Sequence, residues 1–328
     1  MSINPTERSW NLVADIGGTN TRFALNREPL KYENVGAFKS TDFISLDQAL
    51  RHYLHTQGNP AIKHAVIAIA NPVLGDYVKM TNAAWEFSIK DTRAQQGFKS
   101  LNVINDFTAL ALSIPFLSES DLIKVGGTEN IVGTPLGLLG PGTGLGVSAL
   151  IPRKDGGWTP IAGEGGHVSF APSNDRELTL WREARLRFDH VSLERLLSGS
   201  GLQFIYQTFS RLAGRPPNAY TPADISQHAI QNTCPDCREA LDTFCAILGT
   251  AAANTALTFG ARSGVYLGGG IVPRLGDYFL RSPFRDHFEH KGRFSNYLKS
   301  IPAFIITSRY PGLLGAAVFL DSNVTASS

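Results

Sequence analysis

Trp10-Asn-Leu-Val-Ala-Asp-Ile-Gly-Gly-Thr-Asn-Thr-Arg-Phe-Ala-Leu-Asn26 decides the fold of this chain. An apolar run stops at an acid, a Gly-Gly-Thr-Asn turn follows, and a second run returns, which reads as a strand, a tight turn and a strand. A third strand is expected over Lys31 to Phe38. Ser45-Leu-Asp-Gln48 has the form of a capping box, and Leu46, Ala49, Leu50, Tyr53 and Leu54 continue it at helical spacing. Ala65 to Ala70 is continuously apolar, the pattern of a strand covered on both faces, and Leu101 to Asn105 is another. A helix is expected from Asp106 to Pro115.

The second half opens in the same way. Leu136 to Leu139 reads as a strand, Gly140-Pro-Gly-Thr-Gly144 as a turn and Leu145 to Ile151 as the returning strand. Thr221-Pro-Ala-Asp224 marks a helix start, with a cap, a proline at the first position and an acid at the third. The longest helix is expected over Asp236 to Phe259. A strand over Gly264 to Leu267 runs into Gly268-Gly269-Gly270. A late strand at Ala303 to Thr307 precedes a small-residue helix at Gly312 to Leu320. Two halves with matching starts predict two α/β domains with a cleft between them.

Composition narrows the function classes. The 328 residues are 43% hydrophobic and 18% charged with net charge +2, an ordinary globular balance with no basic stripe for nucleic acid. Three cysteines, Cys234, Cys237 and Cys245, are too few and too odd for a disulfide framework. No signal-like stretch opens the chain, and no apolar run of about 18 residues suggests a membrane span. The expected location is the cytoplasm.

Chemistry concentrates at turns and strand ends. Gly17-Gly18 and Gly142/Gly144 can take positive φ and let backbone N–H groups approach an anion closely, with Thr19 and Thr143 adding hydroxyls. Asp15, at a strand end, is either an Asx cap or an acid facing the water shell of Mg²⁺. Asp106 is either a helix N-cap or an acceptor for a hydroxyl proton at a strand's carboxyl end. Gly163-Glu-Gly-Gly-His167 offers Glu164 and His167 to hydroxyls, since no further metal ligand lies nearby. Glu194 alone would pass for a surface acid. Cys234-Pro-Asp-Cys237 lies at a helix start, where packing or capping is favoured over zinc or redox chemistry.

Together these segments resemble the bacterial glucokinase family, ATP-dependent enzymes of the actin-like ATPase superfamily. The resemblance runs through Val13-Ala-Asp-Ile-Gly-Gly-Thr-Asn-Thr-Arg22, Met80-Thr-Asn-Ala-Ala-Trp85, Asn105-Asp-Phe-Thr-Ala109, Leu139-Gly-Pro-Gly-Thr-Gly-Leu-Gly146, Gly163-Glu-Gly-Gly-His167, Glu194-Arg-Leu-Leu-Ser-Gly199 and Gly268-Gly-Gly-Ile-Val-Pro273. Lys291-Gly-Arg-Phe294 and Pro311-Gly-Leu-Leu-Gly315 complete it. It implies a two-domain actin-like, ribonuclease H-like fold with an interdomain cleft. The small domain would comprise residues 1–116 and 308–328, the large one 117–307, and the C-terminal helix would pack on the first.

The resemblance also implies roles. Asp106 would be the general base toward the 6-hydroxyl of D-glucose, and Asn82, Asn105, Glu164, His167 and Glu194 would bind the sugar. Asp15, Gly17, Gly18, Thr19, Asn20, Gly142, Thr143 and Gly144 would hold ATP phosphates, with Asp15 reaching Mg²⁺ through water. Gly268, Gly269 and Gly270 would border the adenosine. The related repressor/kinase family carries a zinc-binding cysteine cluster after its Glu-x-Gly-His motif. Here Val168-Ser-Phe-Ala-Pro172 follows instead, implying no structural zinc. A homodimer without nucleic-acid or membrane partners is expected. The alternatives are a sugar-responsive regulator, although only about ten residues precede the first strand, a filament-forming or chaperone-like ATPase on the same scaffold, and a broader hexose kinase.

Overall fold

The structure, a computed structural model, describes residues 9–80, 85–128 and 131–324. The chain divides into two compact units, residues 1–117 with 308–328, and residues 118–307.

The first unit is built on β1 (Trp10–Ile16), β2 (Asn20–Asn26), β3 (Glu33–Lys39), α1 (Leu46–Thr56), β4 (Ile62–Ile69), β5 (Tyr77–Lys79), β6 (Glu86–Ser88), α2 (Ile89–Gln95), β7 (Ser100–Asn105) and α3 (Asp106–Ser113). Its main sheet has the order β3-β2-β1-β4-β7. The first two pairings are antiparallel and the last two parallel. Alternate residues of β1 face opposite layers, as the two-residue strand period requires. Leu12, Ala14 and Ile16 join Leu46, Ala49, Leu50 and Tyr53 of α1. Val13 faces the other way, with Ala109 of α3 and Leu313, Ala316, Ala317 and Leu320 of the C-terminal helix, Pro311–Val324. That helix approaches α3 so closely that a Cβ added at Gly315 would overlap the carbonyl of Ala109. Ser45 caps α1 by accepting the Gln48 N–H, but the Gln48 side chain takes the N–H of Ile44 rather than of Ser45, so the expected reciprocal box is displaced by one residue.

The second unit contains β8 (Leu122–Lys124), β9 (Leu136–Pro141), β10 (Leu145–Pro152), β11 (Trp158–Gly163), α4 (Asp175–Arg185), α5 (Gly199–Leu212), α6 (Pro222–Ile230), α7 (Pro235–Phe259), β12 (Val265–Leu267), α8 (Val272–Leu275), α9 (Asp277–Leu280), α10 (Phe284–Glu289), α11 (Ser295–Ser300) and β13 (Ala303–Ile306). The sheet order is β11-β10-β9-β12-β13-β8. Its first five strands repeat the pairing of the first unit: two antiparallel steps, then two parallel ones. Helix α7 packs against α5, α6 and α10. By length and composition it is long and apolar enough to cross a membrane, against the expectation that no segment would be. Of its apolar window, 78% is buried within the protein, which accounts for the composition as a core helix.

Candidate active site

In the first unit, β1 and β2 close on the pair Ile16 and Thr21, and Gly17 N–H donates to Asn20 O at 2.8 Å. That bond uses the donor that Gly17 was expected to offer an anion. Among the described residues, no protein acceptor takes the N–H of Gly18 or Thr19. The turn is fastened from one side by Ser40. Its hydroxyl donates to Gly17 O at 2.8 Å and meets Thr21 Oγ1 at 2.9 Å, and its N–H donates to Thr19 O at 3.0 Å. Ser40 and Thr21 are buried, so these bonds are shielded from water.

Asp15 stands at the end of β1 and pairs with Arg22 across the hairpin, Nη1 to Oδ2 at 3.0 Å. Burial pushes its carboxyl up from the usual carboxylate range, and the Arg22 charge and hydrogen bond oppose that rise. A Cβ at Gly312 would lie 2.8 Å from Asp15 Cγ. The missing side chain therefore lets the carboxylate sit against the first turn of the C-terminal helix, where the helix dipole favours an anion.

At the end of β7, Asn105 is the cap of α3: its Oδ1 accepts from Phe107 N at 2.9 Å and Thr108 N at 3.1 Å. The N-cap position thus belongs to Asn105, and Asp106, at the first helical position, shares the Phe107 N–H through its Oδ1 at 2.8 Å. Both are partly buried. The Asn105 amide nitrogen points to Asn71 O at 3.4 Å, a long bond that a better acceptor can displace. Asn82, expected as a sugar contact, lies outside the described residues.

In the second unit three motifs meet at Leu145. Its strand begins directly after the Gly140–Gly144 turn, where Gly142 N–H donates to Gly144 O at 2.8 Å. Here again one glycine donor is spent inside the turn, while among the described residues no protein acceptor takes the N–H of Thr143 or Gly144. Glu194 Oε2 accepts the Leu145 N–H at 2.9 Å. The Glu164–His167 loop lies over the other end of the same residue, for a Cβ at Gly166 would overlap Leu145 O. Glu164 and His167 are exposed, with His167 N–H donating to Glu164 O at 3.0 Å. Segment pairing brings Glu194 alongside this loop: Phe170 N–H donates to Val191 O at 2.9 Å and Leu193 N–H to Val168 O at 3.0 Å.

The positive φ open to glycine is not used by Gly17, Gly142 or Gly144; of the glycines assigned to nucleotide, Gly269 takes it, at 77°. A Cβ at Gly269 would press on Pro141 O at 2.5 Å, and Gly268 N–H donates to Leu139 O at 2.7 Å. The Gly268–Gly270 segment is thereby held against the Gly140–Gly144 turn. Short hairpins close without left-handed residues here, and glycine serves for close approach instead.

The cysteines do other work. Cys234 Sγ caps α7, accepting from Cys237 N at 3.4 Å. Burial pushes the Cys237 thiol up, and the Cys245 thiol, in mid-helix, up to about 12. Sequence reasoning missed Ser40, Gly312 and the part played by the Leu145 N–H. Gly312 and Leu145 lie inside motifs of the family resemblance and Ser40 in none, but the contacts that give them their parts, with Asp15, Glu194 and Gly17, show only in the folded distances.

A family model described as Glucokinase matches residues 12–323. The glucokinase of Chromobacterium violaceum is 50% identical over 328 residues, covering all of this chain and 94% of that one. The crystal structure of a glucokinase from an Antarctic psychrotroph superposes with a TM-score of 0.85 at 35% identity, covering 96% of this chain and 99% of that one. A ROK family glucokinase from Streptomyces griseus, solved with glucose and AMPPNP, shares the fold at a TM-score of 0.65 and 17% identity, over 95% of this chain and 99% of that one.

Proposed function

The chain belongs to the glucokinase family, and from that premise we propose how its residues carry phosphate from ATP to the 6-hydroxyl of glucose. It is an ATP-dependent hexose kinase of the actin-like fold. The observation that carries the site reading is the meeting of the Gly140–Gly144 turn, the Glu164–His167 loop and Glu194 at one residue, Leu145. The turn proposed for phosphate and the side chains proposed for hydroxyls are thereby gathered about one residue.

Phosphoryl transfer asks of the protein mainly positioning, charge neutralisation and a proton acceptor. Asp106 is assigned the last role: its carboxylate takes the 6-hydroxyl proton as the sugar oxygen bonds to the γ-phosphorus and the bond to ADP breaks. Asn105 offers its amide N–H₂ to a neighbouring hydroxyl, since its oxygen is committed to the helix cap. Asn82, Glu164, His167 and Glu194 are assigned the remaining sugar hydroxyls, which both donate and accept. The backbone N–H groups of Gly18, Thr19, Thr143 and Gly144, with the two threonine hydroxyls, are assigned to phosphate oxygens. Asn20 flanks the first turn, and Gly17 and Gly142 permit close approach. Gly268, Gly269 and Gly270 border the adenosine.

Mg²⁺ fits this set. Asp15 supplies one hard oxygen donor, with Arg22 holding Oδ2, and Mg²⁺ characteristically keeps its waters and binds few protein oxygens. When bound it would neutralise phosphate charge. A homodimer of the 35.5 kDa chain in the cytoplasm completes the reading, supported by family membership.

A coupled assay of ADP release, with the sugar product identified by mass, tests this function. It predicts release that depends on glucose and yields glucose 6-phosphate; ADP release indifferent to sugar would overturn it.

A further inference from the structure

We infer that Glu194 is a positioning residue for the nucleotide phosphates, holding the Gly140–Gly144 turn in shape through the backbone of Leu145. The inference rests on the reading that this turn binds phosphate.

The peptide joining Gly144 to Leu145 is fixed at both ends. Its carbonyl accepts from Gly142 N–H at 2.8 Å, and its N–H donates to Glu194 Oε2 at 2.9 Å. The carboxylate also fills the space that a side chain at residue 144 would need, because a Cβ built there overlaps Glu194 Oε2. On the same segment, Gly199 N–H donates to Gly142 O at 2.9 Å, so the stretch from Glu194 to Gly199 grips the turn at two points. The donors left for a ligand, Thr143 and Gly144 N–H, lie between those two points.

A carboxylate beside a phosphate-binding turn repels the ligand's negative charge. A partly buried Glu at this place therefore needs a compensating role, and a charge-assisted bond to the turn's own backbone supplies one. Because the same segment is tied to the Glu164–His167 loop through Leu193 N–H and Val168 O, anything that moves the sugar-facing residues also shifts the phosphate turn. Glu194 thus links the two substrates through one unit's own backbone.

Glu194→Ala, Glu194→Gln and Gly144→Ala test it, with two readouts in the absence of sugar: amide hydrogen exchange over residues 140–146 and calorimetric affinity for Mg-ADP. Glu194→Ala and Gly144→Ala should each speed Leu145 exchange about tenfold or more and weaken Mg-ADP by a similar factor, the size expected for one charge-assisted bond. Glu194→Gln keeps an oxygen acceptor and should stay within a few-fold in both, while its glucose affinity falls. Unchanged exchange and unchanged Mg-ADP affinity in a folded Glu194→Ala protein would overturn the inference. Should that variant fail to fold, the same readouts on Gly144→Ala decide. If exchange rises but even the wild type binds no Mg-ADP, the tether stands and the assignment of the turn to phosphate fails.

Discussion

Asp106 can be tested cleanly because the cap of α3 belongs to its neighbour. Asn105 supplies the oxygen that accepts from Phe107 and Thr108 N–H, and an Asn at 106 keeps the Oδ1 that shares the Phe107 N–H, so Asp106→Asn removes a charge and leaves the cap intact. The lost interaction with the helix dipole is worth about 0.3–1 kcal/mol. A lost general base costs about 10²–10⁴-fold in turnover, roughly 3–5.5 kcal/mol. The variant should therefore melt close to the wild type and lose at least about a hundredfold in kcat; near-normal turnover in the folded protein would remove Asp106 from the mechanism. Gly142 gives an equally clean probe of the turn. An added Cβ meets nothing nearer than Gly270 N at 3.9 Å, so Gly142→Ala should fold normally. Any rise in the KM for ATP then reports obstruction of the ligand, and an unchanged KM would make the turn a plain hairpin.

At the scale of elements, the carrier of Asp106 is α3, and what seats α3 is the C-terminal helix. A Cβ at Gly315 would overlap Ala109 O, so Gly315→Ala must part the two helices. Overpacking of this kind costs about 1–3 kcal/mol, and a lowered Tm by thermal denaturation checks it. The start of α7 makes a pH-dependent prediction. Asp236 holds Arg215 Nε and Ser210 Oγ, each at 3.0 Å, and the Arg215 hydrogen bond, ahead of Ser210's, keeps its carboxyl below the usual range. A carboxylate whose pKa falls on folding stabilises the protein above its unfolded pKa, about 4, and that share is lost as pH drops through the lower folded value. Asp236→Asn should thus lower stability at neutral pH and flatten its acid limb in denaturant titrations. Cys234→Ser should preserve the cap, since a hydroxyl is a good N-cap acceptor, and leave activity within a few-fold. Much of this level was legible beforehand. Ser45, Thr221 and Pro222 marked helix starts by side-chain chemistry alone, and the apolar run at Ala65–Ala70 marked a covered strand. The edge strand β8, three residues long, carried too little pattern to be read, and the turn glycines left two uses open because close approach and left-handed φ draw on the same residue type.

On the scale of the whole molecule, the duplicated strand order explains why two similar glycine turns open the two halves of the sequence. Each joins an antiparallel strand pair, each spends one glycine N–H within the turn, and each is braced by a side chain from elsewhere, Ser40 in one unit and Glu194 in the other. The turns were visible in the sequence, but the braces were not, since Ser40 lies 23 residues from Gly17 and Glu194 lies 49 from Leu145. Family membership accounts for the chemistry these parts serve. The most direct measurement is ADP release by the purified protein with Mg-ATP and a panel of hexoses, the products identified by mass and linkage. The account predicts that D-glucose drives release with one glucose 6-phosphate formed per ADP. Release at the same rate without sugar, or a phosphate placed on a hydroxyl other than the sixth, would contradict it.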